Sequence, residues 1–254
     1  MTSKEVKQAS FVEHLIELRS RLIKSLLYIF IFFLICYFFS EKIYSFLLAP
    51  YSEAVKGDDL DRRMIFTALQ ETFITYLKVS FFAAMFIASP IILTQIWKFI
   101  APGLYKNEKK ALLPYLIATP ILFLLGGMLV YYLIMPLAIK FFLSFETTSE
   151  ITNLPIQLEA KVNEYLSLIM RLIFAFGISF QLPILLSLLA RVGFVNSEYL
   201  KKRRKYVIVI IFAVAAILTP PDPITQIGLG IPLLILYELS ILSVKLIEKR
   251  KNNA

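Results

Sequence analysis

The run from Ala111 to Met135 reads ALLPYLIATPILFLLGGMLVYYLIM and carries no charged side chain. A membrane-spanning helix needs about 20 mainly apolar residues, and this run meets that length with residues to spare. Five further stretches repeat the pattern: about Leu22–Ser40, Thr72–Trp97, Tyr165–Ala190, Tyr206–Thr219 and Ile224–Val244. The expected fold is therefore an all-α membrane protein of six transmembrane helices, built as one domain over residues 1–254.

Composition agrees. Of the 254 residues, 58% are hydrophobic, and the chain holds 22 Phe and 13 Tyr. A soluble domain sits nearer 45–50%. Residues 1–24 are polar, and the first apolar run ends in Ser40-Glu41-Lys42 rather than a small-residue cleavage site, so a cleavable signal is not expected.

The net charge of +9 would suggest nucleic acid in a soluble chain. Here the basic residues lie between apolar runs, so they read as orientation signals and nucleic acid is not expected as a partner. Five Lys and Arg lie in the N-terminal segment, four in residues 98–110, six in 191–205 and four in the tail, which is 19 of 27 on one side. The other side keeps eight. The positive-inside rule puts both termini in the cytoplasm, and an even number of spans agrees with that.

The fifth span is short. Its 14 residues cover about 20 Å, against a hydrocarbon core of about 30 Å, and Thr219-Pro220-Pro221-Asp222-Pro223 stops it. A low hairpin that thins the bilayer is one reading; Asp222 snorkelling to water at a tight turn is the other. Pro90, Pro120, Pro183 and Pro232 lie inside spans and are expected to bend them toward a curved, cupped wall. Apolar residues in Glu41–Glu71 and Phe142–Glu164 suggest caps lying on the membrane surface.

The N-terminal segment pairs Ser10 with Glu13 as a capping box. Phe11, Leu15, Leu18 and Leu22 form an apolar stripe, so an amphipathic helix over residues 10–21 is expected to run along the interface. Its polar face shows Glu13, His14, Glu17 and Arg21. Glu17 is spaced for an i,i+4 pair with Arg21. In Trp97–Lys110, Pro102-Gly103 forces a turn, and Glu108 falls where a first helical turn favours a carboxylate.

Glu13-His14-Leu15-Ile16-Glu17-Leu18-Arg19-Ser20-Arg21-Leu22 resembles the N-terminal signature of the TatC family, the membrane core of the twin-arginine protein translocase. The likeness continues through Ala88-Ser89-Pro90-Ile91-Ile92-Leu93, Trp97 to Glu108, Ala175-Phe176-Gly177-Ile178-Ser179-Phe180 and Leu218-Thr219-Pro220-Pro221-Asp222. The resemblance implies a cupped six-helix fold with both termini cytoplasmic, in a bacterial plasma membrane. It implies recognition of the paired arginines of an export signal peptide, and assembly with TatA- and TatB-type single-span subunits. Further implications are lipid contact, self-association in the receptor complex, and transport of folded proteins on the proton-motive force. No cofactor, metal or catalytic residue is implied.

Glu17 and Glu108 match the family's signal-binding glutamates. Arg19, Phe99, Leu104 and Tyr105 fall in the same signal-binding motifs. Pro50, Asp222, Gln226 and Glu238 are expected in structural or partner-contact roles. Gln181 stands where many members have Glu, which keeps a hydrogen-bonding shape but removes an ionisable proton. Glu238 is the clearest acid within a span, expected to pair with Lys245 or to snorkel to the inner surface. Physically, a carboxylate grips the planar guanidinium fork with two parallel bonds, and two arginines call for two acceptors. A solute transporter would need ligands near the midplane, for which Gln181 and Glu238 are a thin set. One His and one Cys leave little for a membrane enzyme.

Overall fold

In lipid the backbone must satisfy its own hydrogen bonds, so apolar runs fold as helices. A computed structural model describes residues 11–56, 62–100, 109–147, 156–219 and 221–252. Its helices are α1 (Phe11–Phe38), α2 (Ser40–Ala54), α3 (Glu71–Ile100), α4 (Lys109–Leu129), α5 (Met135–Leu143), α6 (Val162–Ser179), α7 (Leu182–Val192), α8 (Ser197–Leu218) and α9 (Pro223–Asn252). A π-helical turn, Val130–Ile134, joins α4 to α5.

Five stretches are long and apolar enough to cross a membrane: Leu15–Phe38, Glu71–Trp97, Leu113–Leu143, Val162–Val192 and Pro223–Lys249. The third runs on to Leu143, eight residues past the Met135 expected from sequence. Its π turn, a usual cause of bends, leaves no mark in the sequence.

α8 differs from the other long helices. The basic run Lys201–Lys205 was expected in a loop, yet it forms part of the helix. Asn196 explains this, because its Oδ1 accepts from Tyr199 N at 2.6 Å and caps the helix five residues before the lysines begin. The apolar remainder, Tyr206–Leu218, is still only about 20 Å long. α1 departs the other way. The expected interfacial helix and the first span are one 28-residue helix, because no Gly or Pro interrupts it.

Of the four span prolines, only Pro183 stands at a helix break. Pro90, Pro120 and Pro232 lie inside continuous helices. α6 ends at Ser179 and α7 restarts at Leu182 with Pro183 in its first turn. Gly193, at φ 90°, then closes α7 in the left-handed conformation that favours glycine.

The helices pack as an open row. α1 packs on α3, α3 on α4 and α6, and α4 on α6; at the far end α9 packs on α7 and α8. α4 and α6 meet where Gly126 lies against the Phe176 backbone and Gly177 against the Phe123 ring. A Cβ on Gly126 would stand 2.7 Å from Phe176 O, so the approach requires glycine. α2 is folded onto α3 and α5, burying Leu47, Pro50 and Tyr51. The described part of the first expected cap, α2, is thus packed against the spans. The phenol of Tyr131 donates to Phe46 O and that of Tyr165 to Leu47 O.

Candidate functional site

The α1–α3 contact brings the first candidate carboxylate to the end of the row. Arg21 donates from Nε and Nη2 to Glu17 Oε1 at 3.0 and 2.6 Å. Its Nη1 donates to Gln95 Oε1 on α3 at 2.7 Å. The expected i,i+4 pair therefore forms, and its guanidinium also ties α1 to α3. Gln95 was not singled out in the sequence, because a polar residue 74 positions away gives no local signal. Arg19 is exposed on the same helix, and Phe99 lies half-buried in the last turn of α3.

The same rim gathers other helix ends. Trp97 of α3 packs with Ile184 and Leu188 of α7 and with Tyr115 of α4. Arg191, in the last turn of α7, donates from Nε to Tyr115 Oη at 2.9 Å and stacks over its ring. The end of α3 and the start of α4 are held side by side, and residues 101–108 connect them. Leu104, Tyr105 and Glu108 lie outside the described residues, as do Ser10 and the side chains of Glu13 and His14.

Glu238 pairs with Arg204 of α8 at 2.5 Å, not with Lys245. Because Lys201–Lys205 are helical, Arg204 faces α9 across the hairpin, and that partner needs no reach along the helix. The hairpin is tied further at its base, where Glu248 accepts from Ser197 N at 2.8 Å and from Ser197 Oγ. The phenol of Tyr237 donates to Leu200 O.

Asp222 does not snorkel. It is buried at the start of α9, where Oδ1 accepts from Thr225 N at 2.7 Å and Oδ2 from the Thr225 hydroxyl. It is an N-cap. Gln226 sits one turn on and donates to Phe212 O at 3.4 Å, a long bond across the hairpin. Gln181 is buried at the α6–α7 break. Its Nε2 donates to Thr119 O of α4 at 3.0 Å, and its Oε1 has no partner among the described residues. Pro50 is buried within α2.

The opposite rim holds an ion pair that sequence reading missed. Arg62 donates from Nη1 and Nη2 to the two Glu146 oxygens at 2.8 and 2.6 Å. Leu158 N adds a third bond to Oε1 at 2.7 Å. The guanidinium hydrogen bonds hold the Glu146 carboxyl below its usual range. Bridges Ile65–Lys161 and Thr147–Ile156 join the same loops.

Comparison with known proteins places the chain. The family model for the Sec-independent protein translocase protein (TatC) matches residues 13–232. A protein of that name from Magnetococcus marinus is 50% identical over 245 residues, covering 96% of this chain and 87% of the relative. One from Rickettsia prowazekii is 48% identical, covering 96% and 95%. The crystal structure of a twin-arginine translocase receptor, TatC, superposes with a TM-score of 0.78 at 38% identity, covering 92% of this chain and 99% of that one. An all-helical chain with several apolar spans, matched over 92–96% of its length by these relatives, belongs to the TatC family of Sec-independent protein translocase proteins.

Proposed function

We propose that this chain is the signal-recognising core of a twin-arginine translocase, and that Glu17 and Glu108 grip the two arginines of an export signal on one rim. The supporting observation is the bridged pair of Arg21 with Glu17 and Gln95. It sets a part-exposed carboxylate beside the end of α3, from which residues 101–108 lead to α4. In the sequence Glu108 immediately precedes Lys109, the first residue of α4. The matched structure's title calls that relative a receptor.

The chain works as a multi-pass protein of the bacterial plasma membrane, with this rim and both termini cytoplasmic. The Lys and Arg partition supports that orientation. With α8 as the short fifth of six spans, the chain crosses an even number of times and both termini fall on the same side. Arg19, Phe99, Leu104 and Tyr105 shape the binding surface around the two acids. An incoming guanidinium exchanges with Arg21, and the signal's apolar stretch adds affinity against the helices. TatA- and TatB-type single-span subunits join along the short α8–α9 hairpin, around Gln226 and Glu238. Pro50, Gln181 and Asp222 hold the scaffold through the α2 packing, the α4 bond and the α9 cap. The protein makes and breaks no covalent bond; movement of folded cargo draws on the proton-motive force.

The test is binding of a twin-arginine peptide to the purified protein, together with export of a folded reporter. Glu17→Ala with Glu108→Ala should abolish both while the protein still inserts. Normal export in that double variant would remove the two acids from the site.

A further inference from the structure

Arg171 takes no part in either rim. It lies on α6, nine residues after Val162, about 14 Å along the helix axis. It is exposed within Val162–Val192, a stretch apolar enough to cross a membrane. An arginine at that depth is retained where it meets water or an anion.

The surroundings supply a cavity. A space of about 810 Å³ is lined by Lys161, Asn163, Glu164, Ser167 and Arg171 among others. Asn163, Ser167 and Arg171 follow at i, i+4 and i+8, so they form one ladder down the helix. At its upper end Lys78 of α3 donates to Asn163 Oδ1 at 2.8 Å. Glu159, which also lines the space, faces Arg63 at 3.7 Å. Lys78, Lys161 and Arg171 then stand against Glu164 and Glu71, whose carboxylate accepts from the Asn163 backbone, leaving the ladder with an excess of one positive charge.

The geometry points to a phosphate site on this ladder, occupied by the headgroup of a phospholipid drawn down from the leaflet on the Glu146 side. A guanidinium fork and a serine hydroxyl match the several acceptor oxygens of a phosphate. The donors run from the cavity's upper end to Arg171, which gives a headgroup a graded path inward.

The experiment uses the full-length protein in a neutral detergent. Thermal unfolding is followed against added phosphatidylglycerol, diacylglycerol or inorganic phosphate, and native mass spectrometry counts retained lipid. Phosphatidylglycerol should raise the unfolding midpoint and remain bound, whereas diacylglycerol should do neither. Arg171→Ala should weaken the phosphatidylglycerol effect at least tenfold. Arg171→Lys and Ser167→Ala should each weaken it about threefold, which keeps the test open should the alanine variant fail to fold. Equal lipid affinity in the wild type and all three variants would overturn the proposal. So would an equal shift from diacylglycerol, or inorganic phosphate alone reproducing the effect.

Discussion

The two rims each hold a glutamate–arginine pair, and they differ in how completely the pair is closed. At the Glu146 rim, the Arg62 side chain is 7% and the Glu146 side chain 16% exposed. Both carboxylate oxygens receive a guanidinium bond, and Leu158 N adds another. At the Glu17 rim the corresponding exposures are 23% and 35% for Arg21 and Glu17. There both Arg21–Glu17 bonds fall on one oxygen, while the third arm of the fork goes to Gln95. The same chemical pair thus serves two purposes. The closed one fastens loops that are 84 residues apart in sequence. The open one ties α1 to α3 and leaves the Glu17 carboxylate part-exposed at the rim.

The largest expected effect strikes the open pair. Glu17→Ala should weaken binding of a twin-arginine peptide by about 10- to 100-fold, the loss of one or two charge-assisted bonds. The same change should leave thermal stability nearly unaltered, since partly exposed i,i+4 pairs contribute little. Titration of a fluorescent peptide onto purified protein measures the first, and a melting curve the second.

Glu146→Gln should give the opposite pattern. Removing one partner of this part-buried, triply hydrogen-bonded pair costs about 1–3 kcal/mol, seen as a lower unfolding midpoint, with peptide affinity within twofold of wild type. Equal damage to peptide binding by both variants would erase the distinction between the rims.

pH sharpens the contrast. Hydrogen bonds from Arg62 lower the folded-state pKa of Glu146. Its contribution is therefore full above the ordinary glutamate value of about 4.3. It fades as pH falls through the depressed folded value. The difference in unfolding midpoint between wild type and Glu146→Gln should stay constant from pH 7 to about 5 and shrink below about 4. A difference that grew on acidification would reverse the sign.

Two smaller effects follow. Gln95→Ala removes the acceptor that shares Arg21, which leaves Arg21 more firmly on Glu17. Peptide binding should weaken about three- to tenfold, roughly the worth of one ordinary hydrogen bond. Gln181→Glu should leave export intact and lower stability by about 1 kcal/mol, because an ionised carboxylate cannot donate to Thr119 O.

The sequence carries the apolar spans plainly, because hydrocarbon thickness imposes their length. It also carries what depends on neighbours three or four residues away, such as the Glu17–Arg21 pair. Contacts between distant segments are silent in it. Gln95 on Arg21, Arg204 on Glu238 and Arg62 on Glu146 join residues 34 to 84 positions apart. Local strength also overrode composition. A single Asn196 cap drew the basic run into α8, and Thr225 turned Asp222 from an expected surface acid into a buried cap. Glu108, Leu104 and Tyr105 rest on the motif they share with the family.

The most direct measurement is a double-mutant cycle between Glu17→Gln and replacement of one signal-peptide arginine by lysine. Affinities are taken for all four combinations of protein and peptide. Direct bidentate contact predicts a coupling of at least about 1.5 kcal/mol, with the lysine peptide barely affected by loss of Glu17. Losses that simply add, for each of the two peptide arginines in turn, would contradict a grip by this carboxylate.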